Sequence, residues 1–172
     1  YVINHYCRQI GLEFDRDGEI ARRGAICRPL LDELNGMEFY HQSGPKSLGR
    51  EWVETQVYPM LERYGLSLKD KLRTFYEHAA FQIFRIINAN PSSAGNGKLL
   101  ITGGGAFNKF LVERIEALCP CQIVIPGRQI IEYKEALIFA FLGALYMADE
   151  PGCLASVTGA SMDNIGGMLF KV

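Results

Sequence analysis

Lys98-Leu99-Leu100-Ile101-Thr102-Gly103-Gly104-Gly105-Ala106-Phe107-Asn108 carries the turn from which the rest of the chain can be read. Its first five residues are a short apolar run, the pattern of a buried strand. Three glycines follow, and then a helical segment from about Asn108 to Leu118. Glycines between a strand and a helix let the backbone approach a ligand where a Cβ would clash. The helix start adds free N–H groups and the positive end of a dipole. Such a site suits a nucleotide or a phosphate. It is not the dinucleotide pattern G-x-G-x-x-G, because Asn108 holds the sixth position, and no Gly-Lys-Ser/Thr follows as a phosphate loop requires. A tight turn that needs only a positive φ explains the same glycines, and both readings stand at this point.

Downstream, Gln122-Ile123-Val124-Ile125 reads as a second strand, stopped by Pro126-Gly127. Tyr133 to Asp149 reads as a helix that is apolar on most faces, which predicts burial in a layer covering the sheet. Lys134-Glu135 would open that helix, where a glutamate favours the dipole or faces a ligand at the strand ends. Strand, helix, strand, helix within about 50 residues is a βαβα unit.

Upstream the chain reads as helical. Val2 to Ile10 forms a short helix, and Asp17 caps another that runs to about Arg23 and ends at Gly24. Pro29 to Leu34 is a third, closed by Asn35-Gly36. Met37 to Leu48 is a loop centred on Gly44-Pro45. Arg50 to Tyr64 is a helix interrupted or restarted at Pro59. Ser67 caps a long helix whose apolar face is Leu68, Leu72, Phe75, Ala79, Ile83 and Ile86. Asn88 to Gly97 is a loop rich in Pro, Ser, Gly and Asn.

Composition narrows the function. Lys+Arg number 18 against 19 Asp+Glu, so no strong charge directs the chain to nucleic acid or an anionic membrane. No apolar run reaches the length of a transmembrane helix, and no charged-then-apolar leader is present. The five cysteines (Cys7, Cys27, Cys119, Cys121, Cys153) lack the even count and spacing of a disulfide framework. Reduced thiols in a cytoplasmic protein are expected. The histidines His5, His41 and His78 are scattered, and no metal site is predicted. The first residue is Tyr1 rather than Met, so a piece of a longer protein is expected.

Other motifs are ambiguous singly. Asp15-Arg16-Asp17-Gly18 fails as a calcium loop, because a loop with Gly18 sixth would end at Gly24, where a bidentate Glu is needed. Helix capping accounts for it better. Pro45-Lys46-Ser47-Leu48-Gly49-Arg50-Glu51 places two cations and a hydroxyl in a Gly-flanked loop, suited to a phosphate or a carboxylate sugar, or simply to solvent. Ser156-Val157-Thr158-Gly159-Ala160-Ser161 builds no catalytic triad.

Taken together, the motifs resemble one family. Phe14-Asp15-Arg16-Asp17-Gly18 with Ala21 and Gly24 resembles F-D-x-D-G-x-x-A-x-x-G, and Pro45 to Glu51 resembles P-K-S-T-G-R-E. Gly103 to Asn108 resembles G-G-G-A-x-N. Glu135-Ala136, Phe139-Ala140 and Leu142 resemble E-A-x-x-F-A-x-L. Pro151-Gly152 with Ser156 to Ala160 resembles P-G-N-x-x-S-V-T-G-A, and Gly166-Gly167 fits its closing turn. In this order and spacing they are similar to the anhydro-N-acetylmuramic acid kinases, which have the actin-like, ribonuclease-H-like sugar-kinase ATPase fold. Leu48, Cys153 and the stretch Gly127 to Glu132 depart from the pattern.

The resemblance implies an α/β fold in which residues 1–172 form a C-terminal lobe, with a mixed sheet, flanking helices and a helical N-terminal part. It implies a cytoplasmic enzyme that uses ATP and Mg²⁺. The enzyme opens the anhydro ring of 1,6-anhydro-N-acetylmuramic acid with water and phosphorylates O6 during cell-wall recycling. Gly103, Gly104, Gly105 and Asn108 map to the ATP side. Glu135 maps to the sugar side, with Lys46, Ser47 and Arg50 as further substrate candidates. Tyr1-Val2-Ile3-Asn4 resembles the stretch just after the F-D-x-G-P-x-N motif, with Asn4 where an Asp is common. The general-base Asp and the N-terminal lobe with its D-G-T-S motif are therefore expected upstream of Tyr1, and the 172 residues alone are expected to be inactive. The alternatives are a binding or assembly module of this fold, carrying a homodimer surface, and a kinase for another amino sugar.

Overall fold

The computed structural model describes residues 1–42, 46–89, 97–168 and 170. The Gly44-Pro45 turn, most of the loop expected between Asn88 and Gly97, and the extreme C-terminus lie outside the described residues. Tyr1–Pro126 forms one compact unit and Gly127–Val172 a second.

The first unit is built on one long helix. In chain order it has α1 (Val2–Arg8), α2 (Glu19–Arg22), α3 (Arg28–Asn35), α4 (Glu38–His41), α5 (Arg50–Trp52), α6 (Tyr58–Arg63) and α7 (Leu68–Asn88). Strand β1 (Lys98–Leu100), α8 (Lys109–Leu118) and β2 (Gln122–Val124) complete it. Ser67 Oγ accepts from Asp70 N and starts α7 as expected. Its N-terminal half buries Leu72 and Tyr76 among Tyr6, Cys7, Leu30, Leu34 and Leu61. Its C-terminal half buries Ala80 against Ile115 and Cys119, with Leu99 and Ile123 of the strands packed alongside. The expected stripe faces the core at Leu72, with Leu68, Phe75 and Ile83 packed partly buried beside it, but full burial extends to Tyr76 and Ala80 outside it, and Ile86 stays 68% exposed. Helices contact α7 from several sides, so its buried surface is wider than one apolar stripe and includes Thr74, His78 and Glu77. The Glu77 carboxylate is offset by Arg73 at 3.0 Å and Arg114 at 2.7 Å, as a buried charge requires.

Pro59 disturbs its helix in a specific way. It offers no N–H to the carbonyl four residues back and its ring collides with that carbonyl. The chain widens into a π-helical turn over Val53–Val57 between α5 and α6.

The sheet corrects two expectations. β1 and β2 pair in parallel, with Leu99 beside Ile123, and no antiparallel strand joins them among the described residues. The expected mixed sheet is thus a parallel pair. Leu100 is 62% exposed, so β1 is not a fully buried strand. Leu99 and Ile123 pack with α7 and α8 on one face of this pair.

The second unit holds α9 (Arg128–Met147) and α10 (Ala155–Thr158). α9 starts five residues before the expected Tyr133, directly after Gly127, so Glu135 lies two turns in and not at the helix start. Ile131 is its one buried residue, and Leu137 and Phe139 are exposed. The expected burial of this helix is not found. Composition records that its faces are apolar, not what covers them. The Ser156–Ala160 segment is α10 closed by Gly159 in the left-handed conformation, with Asp163 accepting from Ala155 N at 2.7 Å.

Candidate functional site

The glycine turn sits at the C-terminal end of β1, where open α/β sheets bind ligands. Gly103 has φ +78° and ψ −178°, a backbone open essentially to glycine. Gly104 and Gly105 are different. A Cβ on Gly104 would meet nothing within 4 Å, and one on Gly105 only a leucine methyl at 3.7 Å. The need for a positive φ explains Gly103 and leaves the next two glycines without an internal reason.

The turn borders a cleft of about 600 Å³ in the first unit. Gly104, Gly105, Phe107 and Asn108 line one side, Phe14, Asp15 and Asp17 another, and Tyr1, Ile3 and Asn4 a third, with Tyr76 between them. Three motifs far apart in sequence thus meet at one cavity.

Hydrogen bonds hold these walls together. Asn108 Oδ1 accepts from Leu111 N at 3.0 Å and caps α8. Its Nδ2 donates to the Tyr76 hydroxyl at 2.6 Å and to the Asp15 carbonyl at 3.2 Å. The Tyr76 hydroxyl in turn donates to Asp15 Oδ2 at 3.3 Å. Burial, reinforced by the Asp15 charge, pushes the Tyr76 phenol well above its ordinary value, so it stays a donor. Asp15 is 2% exposed and accepts from Ile20 N at 2.9 Å and Ala21 N at 3.2 Å. Asp15, not the expected Asp17, is therefore the residue that caps α2, because Asp17 turns out of line with φ +54°. Gly18 permits the closure: a Cβ there would lie 2.3 Å from Phe110 Cβ. Phe110 itself packs under the guanidinium groups of Arg22 at 4.8 Å and Arg73 at 5.0 Å.

The remaining candidates are dispersed. Lys46 Nζ donates to the carbonyls of Phe39 at 2.9 Å and Gln42 at 3.0 Å, finishing α4. Ser47 is exposed. Arg50 Nε donates to Glu54 Oε1 at 2.6 Å, and the same oxygen accepts from the Tyr1 hydroxyl at 2.6 Å. The guanidinium also lies 5.6 Å from the Tyr1 ring centroid. Arg50 thus reaches the cleft through Tyr1. Glu135 belongs to the second unit and is exposed on α9. Sequence reasoning missed Tyr76, which sits in the middle of a long helix with no motif around it.

Among the described residues, no cluster of three His, Cys, Asp or Glu side chains forms a metal cage. No described helix is long and apolar enough to cross a membrane. A family model described as anhydro-N-acetylmuramic acid kinase matches residues 3–172.

Proposed function

The chain belongs to the anhydro-N-acetylmuramic acid kinase family, and from that premise we propose that it forms the nucleotide-binding wall of an ATP-dependent sugar kinase. The proposed substrate is 1,6-anhydro-N-acetylmuramic acid, opened with water and phosphorylated at O6. The observation that supports this reading best is Gly104, whose missing side chain would meet nothing within 4 Å, beside Gly105, where only a Leu111 methyl comes within 3.7 Å, both lining the cleft. Backbone bare of side chains there lets a flat base or a ribose lie close to the main chain.

In this reading Gly103 makes the turn, Gly104 and Gly105 receive the adenosine, and Asn108 holds the turn to α7 and Asp15. Magnesium comes with the nucleotide, held by phosphates and one or two carboxylates, which suits a wall without a metal cage. It would supply charge neutralisation at the phosphates. Glu135 is a proposed sugar contact of the second unit, and Lys46, Ser47 and Arg50 are proposed substrate contacts of the first, with Arg50 acting by holding Tyr1 against the cleft. Residues 1–172 contain neither a D-G-T-S phosphate motif nor an F-D-x-G-P-x-N base motif. Phosphoryl transfer depends on positioning and charge from both sides of the substrate. Residues 1–172 alone are therefore proposed to bind nucleotide without turnover.

Calorimetry with Mg-ATP, beside mass analysis of the sugar product, tests this. Binding without product by residues 1–172, and product from the full-length protein, is the expected result. No nucleotide binding, together with a stable dimer in sedimentation, would favour a non-catalytic assembly module. Product from N-acetylglucosamine rather than from the anhydro sugar would reassign the substrate.

A further inference from the structure

Among the described residues, two that are not glycine have a positive φ, Asp17 at +54° and Asp149 at +60°. Asp149 is accounted for by its helix end. Its N–H donates to the Tyr146 carbonyl at 3.3 Å and Glu150 N–H to the Leu145 carbonyl at 2.9 Å, the bonding that closes a helix with a left-handed residue. Asp17 has no such role. Aspartate tolerates this conformation chiefly when its side chain bonds its own turn. The Asp17 side chain caps neither its turn nor α2; that work is done by Asp15. Its carboxylate instead reaches across to Lys109 Nζ at 3.3 Å, beside the cleft that Gly104 and Gly105 border.

We propose that Asp17 binds the vicinal diol of the nucleotide's ribose in this cleft. The proposal rests on the nucleotide reading above and deepens it. The Asp17 carboxylate is already paired with Lys109, which suits it less to a phosphate-bound Mg²⁺ than to the uncharged, hydroxyl-bearing part of the ligand. A carboxylate accepting from a ribose hydroxyl is the solution dinucleotide sites also use. Lys109 offsets part of the charge and fixes the direction of the carboxylate. The anhydro sugar is the weaker occupant, since it has one free hydroxyl, no vicinal diol and a lactyl carboxylate of its own. Left-handed backbone at a non-glycine residue that no helix end accounts for is a strain of the kind that clusters at functional sites.

The test compares binding of Mg-ATP, its 2′,3′-dideoxy analogue and the anhydro sugar to the full-length protein and to Asp17→Asn and Asp17→Gly. Dideoxy-ATP is expected to bind the wild type about tenfold or more weakly, the usual size of a charge-assisted hydrogen bond. Both variants should lose that discrimination, and Asp17→Gly should melt no lower than the wild type. Variants that bind ATP as the wild type does, or a wild type that ignores the missing hydroxyls, would overturn the proposal and leave the nucleotide reading standing. Loss of sugar affinity alone would move Asp17 to the sugar and overturn the ribose assignment. A wild type with no affinity for ATP would sink the nucleotide reading and this proposal with it.

Discussion

Asn108 Nδ2 donates to the Tyr76 hydroxyl across 2.6 Å, so the end of the glycine turn is bonded to the middle of α7. Both amide hydrogens of Asn108 are used within the protein, on Tyr76 and on the Asp15 carbonyl. The residue shapes the cleft and leaves the glycine backbone beside it open.

That relationship can be broken from either side. Tyr76→Phe removes an acceptor for Asn108 and a donor for Asp15 in a buried setting, a loss of about 1–2 kcal/mol. Asn108→Ala also removes the cap of α8, for about 2 kcal/mol in all. Urea denaturation should show both losses without a change in slope. Each should weaken ATP binding as the turn loosens.

Two glycines give opposite outcomes. Gly18→Ala forces a Cβ to 2.3 Å from Phe110 Cβ at φ +73°, and should cost about 2 kcal/mol or more. Gly104→Ala meets nothing within 4 Å and should leave stability nearly unchanged. Calorimetry should nevertheless show Gly104→Ala losing most of its ATP affinity. Intact affinity in a stable Gly104→Ala protein would remove the main support for the nucleotide reading.

His78 makes stability depend on pH. It is 2% exposed, with Nδ1 at 2.7 Å from Asn35 Oδ1 and Nε2 at 3.0 Å from the Tyr40 hydroxyl. Burial pushes its pKa down to about 4 from an ordinary 6.5. The unfolded chain therefore binds the extra proton first. This contribution is complete above about pH 6.5, falls with pH by up to about 1.4 kcal/mol per unit, and is gone below about pH 4. Denaturation between pH 4 and 7 should show that slope, and His78→Gln should flatten it.

Arg50 and Glu54 should act on function more than on folding. Both lie at the surface, where such a pair contributes little to stability. Arg50→Ala is expected to melt close to the wild type. If it holds Tyr1 at the cleft, Glu54→Gln, which also weakens the Tyr1 contact, should reproduce its effect on ligand affinity. A direct substrate contact by Arg50 would leave Glu54→Gln unaffected.

Local chemistry made part of this legible. Ser67 before an apolar period is a cap wherever the helix later packs, and its bond to Asp70 N is present. Pro59 must disturb its helix, because the missing N–H is a covalent fact. Three glycines after a short apolar run mark a turn, and Asn108 opens α8. Where two residues offered the same chemistry, the sequence did not separate them. Asp15 and Asp17 are both caps in principle, and only the approach of Gly18 to Phe110 selects Asp15. α9 starts five residues before its apolar period becomes legible, because Arg128 to Glu132 has no clear period and its N-cap Gly127 makes no side-chain cap bond.

The sequence by itself determined the longer helices, though not α4 inside the expected Met37–Leu48 loop nor the start of α9, together with the glycine turn and, through the order of its motifs, the family. Those are local or linear properties, set by backbone sterics, capping and periodicity. Only the tertiary structure decided that Tyr76 lines the cleft, that Asn108 bonds to it, and that Arg50 and Tyr1 meet at Glu54. Each depends on residues tens of positions apart meeting at hydrogen-bonding distance. No period or spacing along one chain encodes such a meeting, because it is the packing around α7 that brings the partners together.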